Sequence, residues 1–278
     1  MYKQALKMNN GRSIPMVGFG SYKVHDPAMT KQCLAAAWEA GYRHIDTAVF
    51  YKNEQEIGDA LRELKIPRDE VFITSKIWVD DISYKGTRRS VEESLAKLQV
   101  DHIDLMLIHW PGAATVQDRV DCWRALEEFV AEGKLLSIGV SNFLPRHIET
   151  ILAGCKIVPA VNQIEVHPLF YDAKTIEYCQ KHGIVVEAYS PLARGDKELL
   201  EHPHLVELAK KYGKSVGQVI LRWLLQLDLV VLPKSEQKER IRANIELDDF
   251  ELTKEEVEEI KKLNKSKKCC EDPETVLD

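Results

Sequence analysis

Eight short, β-branched and almost uninterrupted apolar runs recur along the chain, each followed by a helical or loop segment: MVGFG, RHIDT, VFITSK, IDLMLIH, SIGVSN, AVNQIE, VVEAYSP and LVVLPK. A strand followed each time by a helix predicts repeated βα units with parallel strands, and the continuity of the apolar runs predicts strands buried on both faces. The segments between them, such as MTKQCLAAAWEAG and DRVDCWRALEEFVAEG, carry apolar residues at three- and four-residue spacing and are expected to stop at Gly41 and Gly133. Eight such units close most simply into a (β/α)8 TIM barrel of the α/β class. Upstream, LKMNNGRSIPM places Asn10-Gly11 between two strand-like pieces, which predicts a β-hairpin closing the bottom of the barrel. Single barrels commonly run to about 250 residues. With no Pro-, Gly- or Ser-rich linker, residues 1–278 are expected to form one domain.

Composition removes several classes of function. The chain is 45% hydrophobic and 29% charged, and no apolar run approaches the roughly 18 residues that a membrane span requires. Its first residues lack a basic-then-apolar leader, so a cytoplasmic location is expected. A net charge of -6 gives no global attraction for nucleic acid, and an anionic ligand would need a local basic site. The run KKLNKSKK reads as a solvated helix end. The six cysteines include no Cys-x-x-Cys pair, and His202-Pro203-His204 reads as a loop, so free thiols in a reducing compartment and no metal site are expected. Cys269-Cys270 stands out as a redox-sensitive pair.

In a barrel of this type, functional groups gather at the C-terminal ends of the strands. Asp46 ends the second run, Lys76 the third, His109 the fourth and Ser141-Asn142 the fifth, while Gln163 lies within the sixth. Tyr51 follows the second strand in GYRHIDTAVFYKNEQEIG, where Arg43, His44 and Glu54 are expected to brace the loop. A phenol titrates near 10, a neighbouring Lys76 ammonium would lower that value, and Asp46 would hold the ammonium. His109 could then orient a carbonyl oxygen, so the group is an acid site for reducing C=O. No G-x-G-x-x-G occurs. Instead, LVVLPKSEQKERIRANIEL puts Lys234 and Ser235 at the last strand end, with Arg240 and Asn244 close behind, where barrels usually bind phosphate. An extra phosphate, as on NADP, fits there. Trp38, Trp123 and Trp223 lie in helical patterns and read as packing residues.

At this point the chain resembles the aldo-keto reductases over essentially its whole length, through GYRHIDTAVFYKNEQEIG, GKLLSIGVSNF and VLPKSEQKERIRANIEL, together with VDHIDLMLIHWPG and AYSPLARG. It is most similar to the short microbial and protozoan reductases, including diketogluconate reductases and prostaglandin F synthases. The resemblance implies a cytoplasmic, NADPH-dependent reductase of aldehydes and ketones with Asp46, Tyr51, Lys76 and His109 as tetrad and Tyr51 as proton donor. It implies that Ser141, Asn142 and Gln163 bind the nicotinamide carboxamide and that Tyr189 stacks on the ring. Ser190 and Leu192 would join the cofactor site, and Lys234, Ser235, Arg240 and Asn244 would hold the 2′-phosphate and adenine of NADPH/NADP+. Tyr22, Trp78, His109 and Trp110 would line the substrate pocket.

Three positions depart from the pattern: Glu236, where a small apolar residue is common, Ala243, where Glu is common, and Tyr22, where a Trp after the first strand is frequent. The short segment after His109, WPGAATVQD, implies an open pocket. The expected partner is a small-molecule carbonyl substrate, and the expected state is a monomer or weak oligomer. A cofactor-binding regulatory or structural module with little turnover is the alternative, and the intact tetrad argues against it. A metal-assisted hydrolase using His109 and Asp46 would want further strand-end ligands that the runs do not supply.

Overall fold

The computed structural model describes residues 4–273 and 276. Its strands are β1 Ala5–Lys7, β2 Ser13–Pro15, β3 Phe19–Gly20, β4 His44–Asp46, β5 Phe72–Ile77, β6 Leu105–Ile108, β7 Ile138–Ser141, β8 Val161–Glu165, β9 Val185–Tyr189 and β10 Val230–Leu232. Strands β3 to β10 follow one another in order, each parallel to the next. Closure comes from the chain just before β3. Val17 bridges Val231 in parallel, the Val231 amide donates to Met16 O at 2.8 Å, and the Gly18 amide donates to Val231 O at 2.9 Å. The eight predicted runs are these eight strands. Gly18 is what lets the first run meet the last, because a Cβ there would lie 2.6 Å from Leu232 Cδ2 and 2.7 Å from His44 Nδ1.

The predicted hairpin is β1–β2, with Leu6 opposite Ile14 and a left-handed Gly11 in its turn. Ile14 and Met8 pack on Leu105, Leu107, Val161 and Val230, which fills the bottom of the barrel with apolar side chains. The turn is pinned from outside: Asn9 Nδ2 donates to Pro159 O at 2.8 Å and Asn10 Nδ2 to Ser137 Oγ at 2.9 Å.

The helices are α1 Pro27–Ala40, α2 Glu54–Glu63, α3 Tyr84–Leu98, α4 Val116–Ala131, α5 Pro145–Leu152, α6 Ala173–Lys181, α7 Lys197–Leu200, α8 Pro203–Tyr212, α9 Val216–Leu225, α10 Lys238–Ala243 and α11 Lys254–Lys261. α1 starts where Asp26 accepts the Met29 amide and Pro27 takes the first turn, and it ends at a left-handed Gly41. In α4 the last helical residue is Ala131, and Gly133 makes the left-handed exit after Glu132. Trp123 and Trp223 are fully buried and donate their indole N–H to Ile157 O and Val257 O. Trp38 is only partly buried, with the Arg43 guanidinium stacked 3.6 Å over its ring. Among the described residues, no helix is long and apolar enough to cross a membrane.

The basic run after α11 differs from its expectation. Only its first residue is helical. Beyond it the amides of Lys265 and Lys267 both donate to Leu169 O, and their ammonium groups pair with Glu198 and, for Lys267, also with Asp196. The segment is a strap drawn along the barrel mouth, because its backbone finds a carbonyl partner there that a fraying helix would have left to water.

Candidate active site

Parallel register puts alternate residues of neighbouring strands on one face, and the interior face carries the polar set. Asp46 lies opposite Thr74, and Lys76 follows two residues later on the same side of β5. The Lys76 Nζ therefore points inward at Asp46, donating to Oδ1 at 2.8 Å and Oδ2 at 2.7 Å, and to Thr47 O at 2.8 Å. Its last neighbour is the Tyr51 hydroxyl at 3.4 Å. Tyr51 ends a 3-10 turn from Val49 to Tyr51 that swings the phenol back over the strand ends. His109 follows β6, its amide donating to Ile77 O, and its ring centroid is 5.7 Å from that of Tyr51. Lys76 is fully buried and Asp46 nearly so, which makes the pair an ion pair inside the barrel.

The electrostatics correct one expectation. Tyr51 is held well above the ordinary phenol value, first by burial and then by the Asp46 charge. The Lys76 ammonium, 3.4 Å away, favours the phenolate but does not outweigh them, because it is shared with both oxygens of Asp46 and the Thr47 carbonyl. Burial, then Lys76, holds His109 well below the ordinary imidazole value, so its ring is neutral, and its Nδ1 has no hydrogen-bond partner.

Gln163, on β8, reaches across the barrel. Its Nε2 donates to Asp46 Oδ2 at 2.8 Å and to Glu187 Oε2 at 2.6 Å, and Glu187 is its register neighbour on β9. The Asp46 carboxylate, gripped by Lys76 and able only to accept, fixes which end of the amide carries the nitrogen and leaves its carbonyl oxygen as the remaining group. Ser141 Oγ donates to Gln163 O, Asn142 Nδ2 donates to His109 O, and the Tyr189 hydroxyl donates to Asn142 Oδ1 at 2.7 Å. Asn142 and Ser190 both take left-handed backbone conformations at strand ends. Leu192 precedes the short turn Ala193–Gly195, over α9.

Glu187 was not singled out in VVEAYSP, although it is fully buried in this network. Burial, then the Asp46 charge, pushes it up to about 8. His44 also lies inside the barrel rather than in the loop, with Nε2 2.9 Å from Thr74 Oγ1 and 3.6 Å from Glu187 Oε1; burial lowers it to about 3. The loop before α2 is braced by another residue. Asn53 accepts from Thr47 Oγ1 at 2.6 Å and donates to Ser21 O and Val24 O. Arg43 instead donates to Trp38 O and Tyr42 O, and Glu54 accepts from Ser75 Oγ.

Around the mouth, Tyr22 lies 5.0 Å from Tyr51, and Trp78 stacks on Phe50 at 4.0 Å with its ring 5.2 Å from His109. Trp110 stacks beside His109 at 6.4 Å. Trp78, Trp110 and Tyr51 are thus gathered about the His109 imidazole, and Tyr22 packs on the group through Tyr51. Lys234 and Ser235 leave β10 next to β3, where the Gly20 amide donates to Pro233 O. Arg240 lies on the neighbouring α10 and Asn244 caps its C-terminal end one turn later, and the Tyr42 hydroxyl ties this helix down through Ile241 O. Lys234 Nζ is already bound to Glu236 Oε1 at 2.5 Å.

The donor set fits a nicotinamide dinucleotide phosphate. It offers a fixed amide acceptor at Gln163, an aromatic ring at Tyr189, and cations at Lys234 and Arg240 on the rim. Residues 16–265 match the profile of the Aldo/keto reductase family. The chain is 43% identical to a glyoxal reductase of Bacillus subtilis, covering 99% of this chain and 98% of that one. It is also 43% identical to the 9,11-endoperoxide prostaglandin H2 reductase of Trypanosoma cruzi (96% and 94% covered) and 39% identical to a methylglyoxal reductase of Escherichia coli (97% and 96%). Among solved structures, an aldo-keto reductase from a Medee basin deep-sea metagenome library superposes with a TM-score of 0.94 at 38% identity, covering 98% and 99% of the two chains. A Bombyx mori aldo-keto reductase in complex with NADP gives 0.90 at 36% identity, covering 98% and 96%.

Proposed function

The chain belongs to the aldo/keto reductase family and is an NADPH-dependent carbonyl-reducing oxidoreductase, and from that premise we propose that Tyr51 is its proton donor and that its substrates are small aldehydes carrying a second carbonyl. The observation that carries the first part is the Tyr51 hydroxyl 3.4 Å from an ammonium that Asp46 grips with both oxygens.

Bound NADPH supplies the hydride. Tyr51 gives its proton to the carbonyl oxygen as negative charge develops there, and the adjacent Lys76 stabilises the phenolate left behind. Asp46 holds Lys76 in place. Neutral His109 orients the oxygen by hydrogen bonding and, being held far below neutrality, is not the acid. Ser141, Asn142 and the Gln163 carbonyl would hold the carboxamide, with Tyr189 against the ring and Ser190 and Leu192 completing that end. Lys234, Ser235, Arg240 and Asn244 would take the 2′-phosphate and adenine.

The substrate class is supported by the relatives named for glyoxal and methylglyoxal and by the aromatic rings of Tyr22, the Phe50–Trp78 stack and Trp110 beside Tyr51 and His109. A cytoplasmic location is supported by six free thiols. A monomer or weak oligomer is supported by the scarcity of exposed large apolar side chains, which among the described residues are Phe50, Val116 and Val158. The test follows NADPH absorbance with a panel of aldehydes, ketones and dicarbonyls in the presence of EDTA. The highest kcat/KM is expected for the small dicarbonyls. NADPH left unoxidised by every carbonyl, or turnover abolished by the chelator, would refute the reading.

A further inference from the structure

Beyond the strap made by Lys265 and Lys267, the chain turns back toward the end of β8. The Cys269 amide donates to Glu165 Oε1 at 2.6 Å and the Cys270 amide to Glu165 Oε2 at 3.2 Å. Both thiols are thereby brought over one buried carboxylate. The sulfurs are 3.8 Å apart, and the two sulfurs and a Glu165 oxygen all lie within 4.8 Å of one another. Glu165 is held from behind by His167 Nε2 at 2.9 Å, and Cys270 Sγ lies 3.6 Å from Ser190 Oγ.

We propose that Cys269, Cys270 and Glu165 form a binding site for a thiophilic divalent cation of the zinc class, bordering the carbonyl-reducing centre at Ser190 but sharing no ligand with the Asp46, Tyr51, Lys76 and His109 group. The separation of the sulfurs is the first argument. Two thiolates bound at about 2.3 Å to a tetrahedral centre lie about 3.8 Å apart, so the pair is already set at the span a zinc ion would impose. Charge is the second. Two thiolates and a carboxylate around a dication leave one net negative charge, and the Arg194 guanidinium lies against Cys270 to offset it. Orientation is the third, because the His167 hydrogen bond to Glu165 is the outer support that fixes a ligating carboxylate. Both cysteines are partly exposed, which leaves an entry path and a fourth position for water.

The site would close the strap on itself. With a cation bound, residues 265–270 are fastened to β8 through side chains as well as through the amides of Cys269 and Cys270.

The test titrates the intact, reduced protein with Zn2+ against a chromogenic chelator, and with Cd2+ while following thiolate charge-transfer absorption in the ultraviolet. One equivalent bound, with a cadmium band of two thiolates, is expected. The double variant C269S/C270S should abolish this binding, E165Q should weaken it about tenfold or more, and C155S, which removes another accessible thiol, should leave it unchanged. The cadmium band of the unmodified protein reads the ligands without relying on any variant's folding. A band of one thiolate or none, affinity retained in the double variant, or affinity lost in C155S would overturn the proposal.

Discussion

Lys234 and Glu236, two residues apart at the exit of β10, are joined side chain to side chain, Nζ to Oε1 at 2.5 Å, in the region where a 2′-phosphate would need the cation. Glu236 does more than repel an anion from a distance, because it occupies the donor. Glu236→Val should release Lys234 and tighten NADPH. Both groups are more than a third exposed, so the pair is worth about 1 kcal/mol or less after screening, and the gain is expected at no more than about fivefold. NADH, with no 2′-phosphate, should be nearly unaffected. Quenching of tryptophan fluorescence by each cofactor measures this, and equal NADPH affinity in the two proteins would show that the pair opens at no cost.

Tyr51→Phe keeps the ring against Tyr22 and His109 and removes only the hydroxyl. Turnover should fall about 100-fold or more, with cofactor affinity within about twofold of the parent. Steady-state kinetics alongside a cofactor titration separates the two. A variant that keeps more than about a tenth of its kcat would rule out Tyr51 as the acid.

Asp46→Asn tests the buried pair from its other side. The fully buried ammonium of Lys76 loses its counter-charge while Thr47 O stays in reach. Uncompensated buried charges of this kind cost about 3–5 kcal/mol, which denaturant unfolding at neutral pH should register. Wild-type stability in this variant would mean that the Asp46–Lys76 ion pair adds nothing to the fold.

Glu187→Gln should make stability less sensitive to pH. The carboxyl is raised from its ordinary 4.5 to about 8 in the folded chain. Between those values the folded state holds a proton that the unfolded state has released. Stability from this group is therefore full below about 4.5 and declines as pH rises toward 8. A glutamine removes that decline and can still accept from Gln163. The stability difference between variant and wild type should grow with pH, by at most about 1.4 kcal/mol per unit. Thermal melts from pH 5 to 8 that stay parallel would sink the argument.

What could be read in the sequence followed from contrast along the chain. Asp46, Lys76 and His109 each interrupt or end an apolar run, and a polar residue at a barrel strand's C-terminal end is conspicuous without any structure. Asn53 was not legible, because its partners Ser21 and Val24 lie about thirty residues away and only the folded loop brings them together. Glu187 sat in plain view inside VVEAYSP. Its meaning depends on a hydrogen bond from Gln163, which also bonds Asp46 across the closed barrel. The net direction in which Tyr51 is moved, set by burial and Asp46, is hidden from sequence for a related reason. Sequence names Lys76 as a neighbour but does not say how completely Asp46 and Thr47 consume its charge. The cysteine pair drew notice by adjacency alone, and the carboxylate beneath it, about a hundred residues earlier, could not be inferred.

The seam between Val17 and Val231 has a consequence for synthesis. A chain emerging from the ribosome has β3 to β9 to hand before β10 exists, so the sheet must wait with one raw edge at each end, the kind of surface that recruits foreign strands. Only when residues near 231 appear can those edges be sealed together. Lys234 comes three residues later, so a nascent chain gains its rim cation only after the means of closing the ring.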